Sequence, residues 1–311
     1  MVNSSCRTGR TGPLKNKLLV TLVGFFCGSL TVLLLSILFI DPATAYSTEL
    51  RITAAGSSVM EAAGIEHTDQ LPQSRVAKGS RNIREAWLAS PTHRYRHGVL
   101  GDTLEAARLS VETVDGVHLS VDLPPSRVFE DLEPRLVDLN RDKLDEIMVV
   151  ESDTALGASL SVYGIVDSRL VRTAATPFLG QPNRWLNPVG VGDFDGDGRL
   201  DIALVATPHI GGLLRLYRVE GDRLALFAQY SGVSTHRIGS TDLGLGRVVP
   251  ALPRDRLLVP NQARRELMLL EWTGHQWQEI ARVELPGVLG SSLKPMRDGC
   301  WQFRLENGQY Y

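Results

Sequence analysis

The chain has 311 residues, 43% of them hydrophobic and 22% charged, a balance that excludes disorder throughout and leaves room for one large domain with an appendage. Its net charge of −2 hides an asymmetry: residues 1–40 hold Arg7, Arg10, Lys15 and Lys17 and no acid, so the remainder is more acidic than the total. Such a body does not favour a nucleic-acid partner.

Residues 1–17 form a basic N-terminus, and Leu18–Ile40 contains no charged residue. A stretch of that length and composition can cross a hydrocarbon core of about 30 Å as one helix. The basic residues before it and Asp41-Pro42 after it place the N-terminus in the cytoplasm and the bulk outside, by the positive-inside rule. The expectation is a single-pass signal anchor in a bacterial cytoplasmic membrane, with the C-terminal domain periplasmic. The alternative is secretion after cleavage following Ala45, since Ala43-Thr44-Ala45 has the small-x-small form of a cleavage site. The apolar stretch exceeds the roughly 7–15 residues of a signal core, which favours the anchor.

Residues 41–80 are rich in Ala, Ser, Thr, Gln and Gly and read as a linker. From 81 to 311 short runs of Val, Leu, Ile and Tyr alternate with Gly, Pro, Asn and Asp, the pattern of an all-β domain. A repeat lies within it. When Pro188–Val205 is set beside Glu133–Val150, Asp193 falls on Asp138, Asp195 on Asn140, Asp197 on Asp142, Asp201 on Glu146 and Ile202 on Ile147. The likeness continues downstream, Gly212–Tyr217 matching Ala158–Tyr163. Weaker copies are read near Asp102 and Asp242, which gives units of a size suited to four-stranded antiparallel blades of roughly 40–50 residues. Four units leave a ring open; a fifth is expected from both chain ends, with Arg84–Ala89 as its outer strand beside Val288–Tyr311.

Calcium binds six to eight oxygens, so it requires several carboxylates gathered by a tightly turned backbone. Asp193, Asp195, Asp197 and Asp201 supply side chains at positions 1, 3, 5 and 9 of such a loop, and the Arg199 carbonyl can supply position 7. Gly196 and Gly198 permit the positive φ that the wrap demands. A second candidate set is Asp138, Asn140, Asp142 and Glu146, where Arg141 and Lys143 replace the glycines and the Lys143 ammonium is expected to act as an internal counter-ion. The competing reading for either loop is an acidic turn holding no ion.

Gly192-Asp-Phe-Asp-Gly-Asp-Gly-Arg-Leu-Asp-Ile-Ala203 resembles the FG-GAP/VCBS repeat, the unit of integrin-alpha-like propellers and of many bacterial surface proteins. The resemblance covers about residues 95–270. It implies a β-propeller with Ca²⁺ as a structural ion in the Asp193 loop and says little about function.

No G-x-S-x-G elbow, H-E-x-x-H pair, phosphate-cradling glycine loop or C-x-x-C occurs in the chain. If the acidic loop joins the first two strands of a blade on one face, the loops after the second and fourth strands lie on the other. Those loops carry His97, Trp185, Asn187, His209, His236 and Asn261, a candidate ligand-binding rim. The reading is a non-enzymatic binding or scaffolding module for an envelope polysaccharide or a protein. The alternative is a polysaccharide-active enzyme, a lyase or glycosidase, with a rim histidine as acid or base.

Overall fold

The computed structural model describes residues 50–55, 66–296 and 300–311. The anticipated span Leu18–Ile40 and the candidate cleavage site at Ala45 lie outside the described residues. Among the described residues every regular element is a strand, and no helix is long and apolar enough to cross a membrane.

Four antiparallel meanders follow one another. The first is β1 (Ala77–Lys78), β2 (Ile83–Thr92), β3 (Glu105–Thr113) and β4 (His118–Asp122), after which β5 (Arg127–Phe129) bridges β3 to the next unit. The second is β6 (Arg135–Val137), β7 (Glu146–Asp153), β8 (Gly157–Val166) and β9 (Arg169–Ala175). The third is β10 (Leu186–Gly192), β11 (Asp201–Ala206), β12 (Leu213–Glu220) and β13 (Arg223–Ser231). The fourth is β14 (Arg247–Val249), β15 (Arg256–Pro260), β16 (Glu266–Trp272) and β17 (Trp277–Glu284). A small fifth unit pairs β18 (Lys294–Pro295) with β19 (Trp301–Gln302) and adds the bridges Leu289 to Leu305 and Arg304 to Tyr310.

The aligned repeat is exact in register. Ile147 faces Tyr163 across β7 and β8, and Ile202 faces Tyr217 across β11 and β12. Both units then slip by one residue at that tyrosine, between Val162 and Tyr163 and between Leu216 and Tyr217. A bulge at the same place in both is a feature of the repeat rather than a local accident.

Strand periodicity assigns the cores. In the fourth meander Leu257, Val259, Met268 and Leu270 pack with Phe194, Val205 and Leu214 of the third, whereas Leu258, Leu267 and Leu269 face Leu289, Leu293 and Leu305 of the fifth. Alternate residues of one strand point to opposite faces, so each middle strand is buried on both sides and reads as a continuous apolar run. β7 is buried at every position except its first, while the outermost β9 and β17 alternate toward solvent. Each fully buried leucine in these interfaces contributes about 1.5–3 kcal/mol.

The first strands converge. Arg75, just before β1, lines one cavity together with Arg135–Val137 of β6, Pro188–Val191 of β10, Gly246 and Arg247 at β14, and Ser292 and Lys294 at β18. Thus all five units contribute their leading segment to the same interior space. Among the described residues no strand pairing joins the first meander to the fifth unit.

Three expectations need correction. The hairpin loops equivalent to 193–200 are closed by the pairs Lys78 with Glu85, Val137 with Glu146 and Val249 with Arg256. The first and fourth units therefore turn at 79–84 and 250–255, and Asp102 and Asp242 are not their anchors: Asp102 lies between β2 and β3, and Asp242 between β13 and β14. Arg84–Ala89 belongs to β2, inside the first meander. The N-terminal segment that meets the fifth unit is 50–55, where the Ala55 amide donates to the Tyr310 carbonyl (2.9 Å) and Leu50 and Ile52 pack on the Leu289 cluster. Packing also begins before residue 81: Leu71 is buried, Gln70 bridges Ala89, and the Trp87 indole donates to Asp69 (3.0 Å).

Candidate functional site

Gly192 pairs with Asp201, so residues 193–200 close the β10–β11 hairpin with no freedom in its ends. Gly196 and Gly198 have φ of 78° and 85°, as the sequence requires of them. The Gly196 and Gly198 amides donate to the two oxygens of Asp193 (2.8 and 3.0 Å), and the Asp197 and Arg199 amides donate to Asp195 and Asp197 (3.1 and 2.8 Å). The result gathers Asp193, Asp195 and Asp197 so that one ligand oxygen from each lies within 4.8 Å of the others. Among the described residues theirs is the single such cluster.

Asp201 is fully buried beneath the loop, and its Oδ2 has no hydrogen-bond partner. Burial pushes its carboxyl up to about 6, Arg218 opposing and Asp195 and Asp197 adding to the shift. Arg218 on β12 lies across the site. Its guanidinium donates to Asp195 (2.5 Å) and Asp201 (3.1 Å), approaches Asp197 at 3.7 Å and sits over the Phe227 ring at 4.8 Å. Arg199 reaches the same Asp197 oxygen through its own side chain (2.6 Å). A cluster of carboxylates and an orphaned buried oxygen fits a hard cation with oxygen ligands. The two arginines are the groups with which such a cation competes. The Arg199 side chain pairs with Asp197, and this leaves its carbonyl, the expected ligand, unaddressed.

The 138–145 loop has the same backbone without the glycines. Arg141 and Lys143, at the positions of Gly196 and Gly198, adopt φ of 61° and 73°. Holding a non-glycine residue there costs roughly 1–2 kcal/mol. Asn140 donates to Asp142 (3.0 Å) and Glu146 (3.4 Å), and the Leu139 amide to Glu146 (2.9 Å), so amide hydrogens occupy oxygens that a cation would need. The compensating charge is Arg81, 3.5 Å from Asp138 and 2.7 Å from Asp145. It is not Lys143, which contributes its backbone amide to Asp138 (3.1 Å).

The expected rim residues separate into two groups. Trp185, His209 and His236 meet, with ring centroids 4.7–6.1 Å apart. His236 Nε2 faces the Ser240 carbonyl (2.8 Å) and must donate, so its Nδ1 accepts from His209 Nε2 (2.9 Å). Burial holds both rings neutral, lowering His209 to about 4 and His236 to about 3. Trp185 donates to the Glu130 carbonyl (2.9 Å), and His97 Nδ1 donates to the buried Glu130 carboxylate (2.5 Å). Beside them burial, with Glu130 nearby, raises Glu105 to about 7.

Asn187 instead spends its amide on the Thr235 and Leu243 carbonyls (both 3.0 Å), and Asn261 closes its own turn onto Glu266 and pairs with Val233. Trp185, Asn187 and His236 are 2%, 0% and 0% exposed, so they support the surface from beneath. The same loops present Ile210, next to His209, and Ile238, two residues after His236, each 62% exposed, beside the exposed Asn183 and Arg237. Glu105, Glu130 and Arg218 escaped notice because their partners lie on other strands, with no motif to flag them.

None of the curated proteins matches the chain. Residues 138–204 match the model of the FG-GAP-like repeat, a segment that runs from the acidic loop of the second unit through the loop and following strand of the third. The chain therefore carries an FG-GAP-like repeat, in the two units where acidic hairpin, β-bulge and Ile–Tyr pair recur together.

Proposed function

We propose that the chain is a five-unit β-propeller-type binding module that presents the Ile210–Ile238 face to an extracytoplasmic protein, and that Leu18–Ile40 tethers it to a membrane. One observation carries the reading: the leading segments of five consecutive units line one cavity, the radial arrangement in which the loops between second and third strands share a face. On that face two exposed isoleucines adjoin the buried Trp185 and His236 and the half-buried His209, which suits an apolar protein contact better than a polysaccharide. In this reading Ca²⁺ is structural, and Asp193, Asp195, Asp197, Asp201 and the Arg199 carbonyl would hold it at the opposite end of β11.

A photo-crosslinking residue placed at 210 or 238 in the membrane-borne chain tests the face. Discrete adducts are expected from both positions. Leu252 is 95% exposed in the loop beside the acidic site, where the Asp255 amide meets the Asp193 carbonyl (2.9 Å), and serves as the control position. Adducts from 252 with none from 210 or 238 would overturn the assignment.

A second reading, a polysaccharide-active enzyme, is favoured by one specific feature. His97 is held by the buried Glu130 carboxylate with Glu105 alongside, an acid that titrates near pH 7 next to an oriented imidazole. Turnover of uronate polymers that disappears in His97→Ala would establish it; no turnover by the parent chain would remove it.

A further inference from the structure

The central cavity has a volume of about 540 Å³, within the range of small-molecule sites. Its charged lining is Arg75, Arg135, Arg247, Lys294 and Glu133. Two of the cations are matched: Arg75 meets Glu133 at 3.1 Å, and Arg135 forks onto the buried Asp131 at 2.7 and 3.2 Å. The other two are not. Arg247 Nε donates to the Leu293 carbonyl (2.9 Å), which orients the guanidinium, and among the described residues neither it nor Lys294 makes a direct ion pair; Glu133 and Asp242 act on Arg247 only at longer range.

The chain makes room for the unmatched guanidinium. A side chain at position 244 would meet Arg247 Nη2 at 2.6 Å and Ser292 Oγ at 2.3 Å, so glycine there leaves the arginine its place in the cavity. Burial lowers the Arg247 pKa from its ordinary value, Glu133 and Asp242 opposing without cancelling it and Arg75 adding to it. A half-buried, oriented guanidinium with no carboxylate in direct contact costs free energy unless an anion completes it.

We propose that the central cavity binds a small organic anion, a carboxylate or phosphate group received by the Arg247 fork and Lys294 with its body against the apolar wall of Leu136, Val189 and Val191. The site is separate from the acidic loop and from the Ile210–Ile238 face, and it goes beyond the partner-binding reading. Its failure leaves the crosslinking result untouched, and the reverse also holds.

Calorimetric titration of the full chain in detergent tests it, with glucuronate and glucose 6-phosphate in separate arms and glucose and ionic-strength-matched sodium chloride as controls. Saturable binding is expected from at least one anion and from neither control, and the arm that binds identifies the group as carboxylate or phosphate. Arg247→Gln should weaken that binding about tenfold or more, the scale of one charge-assisted hydrogen bond. Lys294→Gln, at the end of a two-residue strand, provides a second variant that leaves the fold intact and should also weaken it. No saturation with either anion, an equal response to sodium chloride, or parent-like affinity in folded Lys294→Gln and Arg247→Gln would overturn the proposal.

Discussion

Replacing Arg218 by methionine isolates what holds the acidic hairpin together when no divalent ion is present. The substitution keeps an apolar stem over Phe227 but removes the guanidinium that reaches Asp195 and Asp201. Asp201 is fully buried, so its carboxylate is left without a counter-charge, a loss of about 3–5 kcal/mol for a buried pair. Arg218 retains 19% of its side-chain exposure, which places the expectation at the lower end, about 3 kcal/mol. For a domain of this size that lowers the thermal midpoint by roughly 6–12 °C. Equilibrium urea unfolding without metal is the assay, and combining Arg218→Met with Asp201→Asn should recover part of the loss because no charge remains buried. Calcium should restore more stability to Arg218→Met than to the parent, since guanidinium and cation use the same oxygens. An unchanged urea midpoint in metal-free Arg218→Met would refute the reasoning.

The contribution of His209 and His236 to stability should fall as pH drops below about 6.5: both are held neutral in the fold, so protons bind the unfolded chain first and the folded state is progressively disfavoured toward pH 4. Glu105 acts oppositely, because its raised folded pKa stabilises the fold at low pH and that contribution is lost as pH rises through about 7. Comparing the pH dependence of unfolding for His209→Gln with the parent between pH 6.5 and 4.5 separates them; equal slopes would contradict the burial of His209. Gly212→Ala should fail to fold or lose more than about 3 kcal/mol, since its Cβ would lie 1.8 Å from the Val233 carbonyl oxygen, and near-parent stability in a thermal melt would show that contact to be misplaced. Trp185→Phe should cost about 1 kcal/mol in urea unfolding through the lost bond to Glu130 while the His209–His236 pair persists.

The second and third units were legible because three independent signals coincide there: alternating acids, a following isoleucine and a tyrosine one strand later, whose pairing the register reproduces. The first and fourth units lacked the acids. The turn at 250–255 is held by the Asp193 amide donating to Asp255 (2.9 Å), and an upstream His and Gly before Asp102 and Asp242 imitate the repeat. Residues 66–75 read as linker because their anchoring is largely by backbone and side-chain hydrogen bonds to β2, which leave little hydrophobic pattern. Loop topology placed Trp185, His209 and His236 together, yet strand ends do not say which side chains face inward. Trp185 and His236 are buried there and His209 half-buried, while Ile210 and Ile238, which no pattern marks, are exposed.

Calorimetric titration with Ca²⁺ should give one site with Kd of about 0.1–1 mM, the range of extracellular modules, and Asp193→Asn should remove it. At ten times Kd such binding adds about 1.4 kcal/mol of stability. A folded parent chain that neither takes up calcium nor shifts its unfolding midpoint at 5–10 mM, roughly ten times a mid-range Kd, would contradict the assignment of residues 193–201 as a cation loop.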